Sequence, residues 1–254
     1  MSVFIRFMNY HESIRWSKRA AKKPLVLIVF KLKVKKIMQT ISIMDTPVIG
    51  VFSTCTEEVC LVPQGTRPEV TSQIEKRLGV SVYRCLVNDS ILVGSMCRGN
   101  SNGFLVPENT KTDTLSKQIG RPVTVMPGKL NAVGNILLAN DTAGLVHPEM
   151  PDNIVKIIAD ALKIDVSKGT IAGIKTVGMA GCVTNKGLLV SPGITEDETA
   201  LLENLFGFEP MIGSVNFGSR MVGSGILANS KGCLAGTETS GYEFGRVLTA
   251  LGLD

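Results

Sequence analysis

The sequence is poor in aromatic residues, lacks metal-binding motifs and has no long apolar run. Aromatic residues make up 5% of the chain, so we expect a core built mainly from valine, leucine and isoleucine. The absence of a Cys-x-x-Cys motif, or of histidine and cysteine at zinc-binding spacing, argues against a structural zinc site. The apolar stretch at residues 25–30 is too short to span a bilayer and has no small-residue cleavage site, which excludes a membrane-spanning helix or secretion signal there.

The six cysteines are scattered along the chain. Most lie within apolar, strand-like runs, at positions 55, 60, 85, 97, 182 and 233. Single cysteines in such runs usually behave as small buried hydrophobic residues. We therefore expect reduced, buried thiols in a cytoplasmic protein that holds no metal.

Charge is distributed unevenly between the N-terminal segment and the rest of the chain. Residues 1–44 contain ten lysines and arginines and a single acidic residue, Glu12. Because the whole chain has 27 basic and 22 acidic residues, residues 45–254 hold 17 and 21, a net charge of −4. A mildly acidic domain is poorly suited to bind nucleic acid through a broad basic surface, and a basic protein would be a better electrostatic match.

A segment at residues 132–148 recurs along the chain. It reads as an apolar strand, a polar turn and a second short apolar strand that ends at Pro148. Related segments occupy residues 47–63, 91–107, 176–192 and 220–236. Each contains an anchor glycine, and these are Gly50, Gly94, Gly134, Gly178 and Gly223. Their separations of 44, 40, 44 and 45 residues indicate a repeat architecture.

Each segment is followed by a helical pattern and, in the first four copies, by a third strand. Capping-box signals for helix starts occur at residues 66–69, 195–198 and 240–243. The third strands are expected at residues 80–87, 122–126, 164–170 and 208–215. The unit is therefore strand, strand, helix, strand. The fifth repeat ends after its helix, so we expect its missing strand to come from residues near 40–45.

One such unit cannot bury both its sheet face and its helix stripe, whereas five units around an axis can. The sequence thus predicts an α/β fold, a five-bladed propeller with five-fold pseudosymmetry. Its domain is expected to span residues 45–254, with repeats at approximately 45–88, 89–129, 130–173, 174–217 and 218–254.

Residues 1–44 form a basic N-terminal extension without repeat character. One interpretation is an arm that contacts RNA. The interpretation we favour is a start codon assigned too far upstream, because Met38 and Met44 both lie directly before the first repeat.

Four motifs occur in a specific order within the repeats. They are Val-Gly-Asn ending at Asn135, Gly-Leu-Val-His-Pro ending at Pro148, Val-Asn-Phe-Gly-Ser ending at Ser219 and Ala-Asn-Ser-Lys-Gly ending at Gly232. Together they resemble the translation initiation factor six family, the ribosome anti-association factors of archaea and eukaryotes, over residues 45–254. The resemblance implies the pentein fold, a five-bladed α/β propeller. The chain lacks the polar tail of eukaryotic members, which implies an archaeal protein.

Members of this family bind the intersubunit face of the large ribosomal subunit, next to a basic ribosomal protein near the sarcin–ricin loop and with ribosomal RNA close by. Occupying that face blocks the small subunit, and the family also takes part in large-subunit biogenesis. The resemblance therefore implies a monomeric translation factor that is not an enzyme, uses no cofactor and does not bind a membrane.

By the same resemblance, residues near the anchor glycines are candidates for ribosome binding. Asn135 directly follows the third anchor glycine. Asn100 matches a family Val-Gly-Asn segment, with Arg98 in place of the usual apolar residue. Arg220 and Met221 begin the fifth unit and are expected on the same face. The alternative is that the two asparagines bond to turn backbone and that Met221 packs in the core.

A rival interpretation is an enzyme. The pentein fold also hosts guanidino-modifying enzymes that use a nucleophilic cysteine, a histidine and paired carboxylates. Here Cys233 and His147 follow the order found in those enzymes. However, Cys233 lies in an apolar run, His147 precedes a proline at a strand end, and no carboxylates recur in a guanidinium-binding pattern. We therefore expect structural roles for both residues.

Overall fold

The computed structural model describes residues 39–254, so the expectations for the basic arm at residues 1–38 lie outside the described residues. Within this range, fifteen strands form five three-stranded sheets. In chain order they are β1 (Thr40–Ile41), β2 (Thr54–Cys55), β3 (Val59–Pro63), β4 (Ser81–Cys85), β5 (Arg98–Asn100), β6 (Gly103–Pro107), β7 (Val123–Met126), β8 (Leu137–Ala139), β9 (Ala143–Val146), β10 (Asp165–Lys168), β11 (Gly181–Val183), β12 (Leu188–Val190), β13 (Met211–Ile212), β14 (Ile226–Asn229) and β15 (Gly232–Gly236).

All five sheets share one topology. The middle strand is antiparallel to the strand before it in the chain and parallel to the third strand. In four sheets a long helix lies between the middle and third strands, as the repeat pattern predicted. Two neighbouring parallel strands need such a crossover, because the chain must return to the end of the sheet where the middle strand began before the third strand can run in the same direction.

Long and one-turn helices alternate along the chain. The long helices are α2 (Pro68–Leu78), α4 (Thr112–Ile119), α6 (Asp152–Leu162), α8 (Glu196–Phe206) and α9 (Gly241–Ala250). The one-turn helices are α1 (Ile49–Phe52), α3 (Val93–Met96), α5 (Val133–Ile136), α7 (Val177–Ala180) and a 3₁₀ turn at Val222–Gly225. No helix in residues 39–254 is long and apolar enough to cross a bilayer.

The strand missing from the fifth repeat comes from the N-terminal side, as predicted. Thr40 pairs with Ala235 and Ile41 with Gly236, so β1 completes the sheet of β14 and β15. Ile41 and Ile43 are buried in one apolar cluster with Leu234 and with residues of the first repeat. The packed unit therefore includes residues 40–44, which the sequence analysis had placed in the extension.

The anchor glycines lie in one-turn helices and not in strands, which corrects the sequence-based interpretation. Each is preceded by a buried apolar residue within a short, mostly apolar segment, and such a segment reads as a strand when it is too short to show a helical period. Strands β2, β5, β8, β11 and β14 begin after these turns.

The absence of a side chain at these glycines allows the repeats to meet. A β-carbon on Gly94 would lie 2.1 Å from the carbonyl oxygen of Gly50, and one on Gly134 would lie 1.8 Å from that of Gly94. The same approach joins Gly178 to Gly134, Gly223 to Gly178 and, at 2.1 Å, Gly50 to the carbonyl oxygen of Gly223. Only glycine permits this backbone contact, and the contact occurs at every step, including from the first repeat to the fifth.

Two of the three predicted capping boxes are present. Thr195 with Glu198, and Ser240 with Glu243, make both reciprocal hydrogen bonds at the starts of α8 and α9. The box predicted at residues 66–69 is wrong, because the N-cap of α2 is Arg67, which makes no side-chain capping bond. The third residue after Arg67 is Val70, which has no group to complete the box.

Candidate functional site

The two ends of the unit carry different elements. The turn end carries the turns that connect successive repeats, together with the N-termini of the long helices. There, Glu198 in the first turn of α8 accepts hydrogen bonds from the amides of Ala172 and Gly173 in a connecting turn, both at 2.9 Å. The hairpin end carries the turns between the first and middle strands and the C-termini of the long helices. There, Nδ2 of Asn100 donates to the carbonyl oxygen of Leu162 at the end of α6, at 2.8 Å.

Asn135 lies in α5, near the turn end. Its side chain is half-buried, and Oδ1 is buried without a hydrogen-bond donor in the described part of the chain. A buried acceptor left unpaired costs on the order of 1–3 kcal/mol, so such groups are uncommon in stable folds. The equivalent positions after the other anchor glycines are occupied by Val51, Ser95, Met179 and Ser224. Asn135 is therefore partly exposed, at a position where its buried Oδ1 has no donor among residues 39–254.

Arg220 and Met221 also lie at the turn end, in the connection between the fourth and fifth repeats. The guanidinium of Arg220 is exposed and donates to the carbonyl oxygen of Pro192 at 2.7 Å. Met221 is 36% exposed, so its side chain is not part of the buried hydrophobic core. Phe217, at the tip of the same connection, is 88% exposed. This part of the turn end thus presents a cation beside uncovered apolar side chains.

Asn100 lies at the hairpin end and is not brought together with Asn135. It is buried and also donates from Nδ2 to the carbonyl oxygen of Asn140 at 3.2 Å. Asn140 in turn donates to the carbonyl oxygen of Thr184 at 3.1 Å, and Asn229 donates to that of Thr56 at 3.2 Å. These asparagines join the hairpin turn of one repeat to that of the next.

The sequence-based interpretation did not predict these hydrogen bonds between hairpin turns, although the repeats contain a signal for them. Thr56, Asn100, Asn140, Thr184 and Asn229 occupy the same register, at the end of the first strand or the start of the hairpin turn. Alignment of the repeats places Ser95, and not Asn100, at the position equivalent to Asn135. The bonds to turn backbone are the alternative that the sequence analysis left open for Asn100.

Arg98 extends toward the interior from β5. Its guanidinium donates to the carbonyl oxygens of Gly134 at 2.9 Å, Leu137 at 3.1 Å and Gly178 at 3.5 Å. Burial lowers the pKa of this guanidinium, although an arginine remains charged under all ordinary conditions. The cation thus balances several carbonyl oxygens that converge where the one-turn helices meet.

Comparison with known proteins decides the family. The family described as the eIF-6 family matches residues 38–250. The chain belongs to the eIF-6 family. It is 54% identical to "Translation initiation factor 6" of Methanosarcina mazei over 215 residues, covering 85% of this chain and 98% of that protein. It is 52% identical to the protein of the same name from Methanococcoides burtonii over 214 residues, covering 84% and 98%.

Membership of the eIF-6 family confirms the recognition made from the repeat motifs, and these relatives are archaeal. It supports a role as a translation factor. These relatives match over 98% of their own length, so the similarity is not confined to one repeat.

The pair proposed for an enzyme of the same fold does not form a reactive site. Cys233 is fully buried in β15, within an apolar cluster that includes Phe244, and burial raises the pKa of its thiol well above the usual range. His147 is buried after β9, where its Nδ1 accepts a hydrogen bond from the amide of Glu149 at 3.1 Å. A thiol with a raised pKa carries little nucleophilic thiolate at neutral pH. Both residues thus have structural environments in this eIF-6 family member.

The cysteines show no sign of a disulfide or metal site. All six lie in residues 39–254, and all are free. Within the same residues, no group of three or more histidine, cysteine, aspartate and glutamate side chains could hold a metal ion.

Proposed function

We propose that this eIF-6 family member binds the intersubunit face of the large ribosomal subunit and prevents the small subunit from joining it. The turn end is the binding surface in this proposal, and the protein also contributes to large-subunit biogenesis. It acts by occupying space, so it performs no chemistry and needs no cofactor. The observation that carries the choice of surface is the exposure of Phe217, Met221 and Arg220 at the turn end, where Asn135 is also partly exposed.

We further propose that the five repeats form a closed propeller of the pentein type and that the protein is a cytoplasmic monomer. The close glycine contacts from each repeat to the next support this closure, because the first repeat contacts the fifth in the same way as the others. A closed ring presents the connecting turns together at one end, which gives a broad surface suited to a ribosomal partner.

The partner we propose is a basic ribosomal protein near the sarcin–ricin loop, with ribosomal RNA close by. Asn135 is partly exposed, so its side chain supplies a polar contact to that protein. The net charge of −4 over residues 45–254 favours a basic protein partner over a broad contact with RNA. Met221 and Phe217 supply apolar contact area, and Arg220 reaches a carbonyl or phosphate group at the rim.

Asn100 and Arg98 have a different role in this proposal. Both direct their polar groups to carbonyl oxygens of neighbouring repeats, so we assign them to holding the repeats together. Substituting them is expected to change stability more than affinity for the ribosome.

Co-sedimentation of the full-length chain with purified archaeal large and small subunits tests the proposal. We expect selective binding to the large subunit. Asn135→Ala is expected to weaken binding by about tenfold, which corresponds to about 1.4 kcal/mol. Asn204→Ala, at an exposed position of α8, is the matched control and should bind normally. Equal binding to both subunits, or to neither, would refute the proposal, and normal binding by a folded Asn135→Ala protein would remove Asn135 from the surface.

A further inference from the structure

Cys55 and Cys60 face each other across the hairpin of the first repeat. Cys55 in β2 is the direct partner of Cys60 in β3, and the two strands are antiparallel. The amide of Thr56 donates to the carbonyl oxygen of Val59 at 2.8 Å, so the adjacent pair is the hydrogen-bonded one. The two cysteines therefore occupy a non-hydrogen-bonded position, where opposed side chains share one face of the sheet and approach most closely.

The spacing of the two cysteines suits a covalent bridge. Opposed residues at such a position have α-carbons about 4.5 Å apart, which lies within the range of about 4.4–6.8 Å found in disulfides. It lies at the short end of that range, and a disulfide formed there is of the strained kind that reductants open readily. Both thiols are free in this structure. The pair can thus be bridged and reopened without moving the strands apart.

The other cysteines in the strands of residues 39–254 do not face a thiol in this way. Cys85 is aligned with Pro63, Cys182 with Leu189 and Cys233 with Ala228. The first repeat alone therefore has two cysteines in register across its hairpin.

Cys55 is the member of the pair that a small molecule can reach. Cys60 is fully buried, whereas Cys55 is half-buried. Cys55 lines a cavity of about 30 Å³ among the hairpin turns of the repeats. Since one water needs about 10–15 Å³ of such space, the cavity admits a molecule as small as hydrogen peroxide and excludes a bulky oxidant.

The turn between the two cysteines joins the first repeat to the fifth. Nδ2 of Asn229 donates to the carbonyl oxygen of Thr56 at 3.2 Å. The amide and the hydroxyl of Ser230 donate to Oε1 of Glu57 at 3.0 and 2.8 Å. A bridge at the base of this turn would fix the acceptors through which the two repeats are connected.

We propose that Cys55 and Cys60 form a modification site at which hydrogen peroxide converts the dithiol to a disulfide. The thiolate of Cys55 attacks one peroxide oxygen, the O–O bond breaks, and the sulfur is oxidised to a sulfenic acid. The other oxygen leaves as hydroxide and becomes water by taking the proton that the thiol had lost.

The second step closes the bridge. The thiol of Cys60 attacks the sulfenic sulfur of Cys55, the S–S bond forms, and the sulfenic oxygen leaves as water with the remaining thiol proton. One peroxide is thus reduced to two waters by the two electrons that the thiols lose. A dithiol reductant restores the pair by thiol–disulfide exchange. The site does not depend on ribosome binding.

The rate of the first step is expected to depend on pH. Interaction with the side chain of Cys60 is the largest of the causes that raise the pKa of the Cys55 thiol well above its usual range, and burial is the second. Little thiolate is therefore present at neutral pH, and oxidation is slow there. The rate should rise by about tenfold for each unit of pH above neutrality, because the thiolate fraction does so below the pKa.

The test treats the native, reduced full-length chain with hydrogen peroxide at several pH values, alkylates the remaining thiols after denaturation and digests the chain with trypsin. The tryptic peptide of residues 37–76 contains Cys55 and Cys60 and no other cysteine. We expect this peptide to lose two hydrogen atoms and escape alkylation before Cys85, Cys97 or Cys233 changes. Dithiothreitol should reverse the change.

Two variants identify the partner of Cys55. In Cys60→Ser, no internal disulfide should form, and dimedone should capture the sulfenic acid at Cys55. Cys182→Ser is the matched control, because Cys182 is also half-buried and lines a neighbouring cavity together with Cys55. This variant should form the disulfide at the rate of the unmodified chain.

The unmodified chain alone can overturn the proposal, so the result does not depend on whether the variants fold. A disulfide between Cys55 and Cys182 would overturn it, because the partner would then lie across the axis and not across the hairpin. Complete alkylation of Cys55 and Cys60 after peroxide treatment of the native chain at alkaline pH would overturn it as well.

Discussion

Gly134 and Gly94 are in backbone contact where no other residue would fit. A β-carbon on Gly134 would lie 1.8 Å from the carbonyl oxygen of Gly94. The peptide group of Gly94 cannot move away to relieve this clash, because Gly94 is itself packed against Gly50. Each repeat therefore fixes the position of the next through a glycine.

Gly134→Ala is expected to destabilise the protein by at least about 3 kcal/mol, since overpacking against backbone cannot be relieved by a rotamer change. Urea unfolding followed by circular dichroism measures the effect. Gly245→Ala is the control, because it lies within α9 with no atom within 4 Å of the added β-carbon and should stabilise the helix by roughly 0.5–1 kcal/mol. A Gly134→Ala protein as stable as the unmodified chain would contradict the close packing.

Glu243 is expected to make stability depend on pH in the acidic range. Its net pKa in the folded state is lowered, so its stabilisation is present above the pKa of the unfolded chain and is lost as the pH falls through the folded pKa. Glu243→Gln should cost roughly 1–2 kcal/mol at neutral pH, and the difference from the unmodified chain should shrink as the carboxylate is protonated. Urea unfolding at several pH values measures it.

Glu203→Gln, an exposed change on α8, serves as the comparison for this series and should alter stability little at any pH. If Glu243→Gln remained as destabilising in acid as at neutral pH, the charge of Glu243 would not be the cause.

Asn100 and Asn135 are expected to respond in opposite ways to the same substitution. Asn100→Ala removes donations to the carbonyl oxygens of Asn140 and Leu162 and should lower the free energy of unfolding by about 1–3 kcal/mol. Its affinity for the large subunit, measured with folded protein, should be unchanged. Asn135→Ala removes an unpaired acceptor, so its stability should be unchanged or improved. Reversal of this pattern would mean that the two ends have been assigned the wrong roles.

Cys233 is expected to be inert in the folded protein. Because burial raises the pKa of its thiol, iodoacetamide at neutral pH should leave Cys233 unmodified in the native state and modify it after denaturation. Peptide mass spectrometry distinguishes Cys233 from the other five cysteines. Rapid modification of native Cys233 would revive the enzyme interpretation.

Much of the fold could be predicted because the same sequence pattern occurs five times in the chain. The glycine spacing, the strand and helix order and the origin of the missing strand near residue 40 all follow from comparing copies. The one-turn helices were missed, since four residues show no helical period. The capping box predicted at residues 66–69 was wrong, because Thr66 and Glu69 fit the motif by chance while the N-cap of α2 is Arg67.

The candidate site was harder to predict, because side-chain direction and register decide it. Arg98 and Asn100 lie in β5 and direct their polar groups toward neighbouring repeats, which a linear motif does not reveal.

The most direct test of the account is a subunit-joining measurement. Purified archaeal large and small subunits are mixed under joining conditions with increasing amounts of the full-length chain, and sucrose gradients separate joined ribosomes from free subunits. The account predicts that joined ribosomes decrease as the chain saturates the large subunit, and that Asn135→Ala requires about tenfold more protein for the same effect. Unchanged joining at concentrations that saturate the large subunit would contradict the proposed anti-association function.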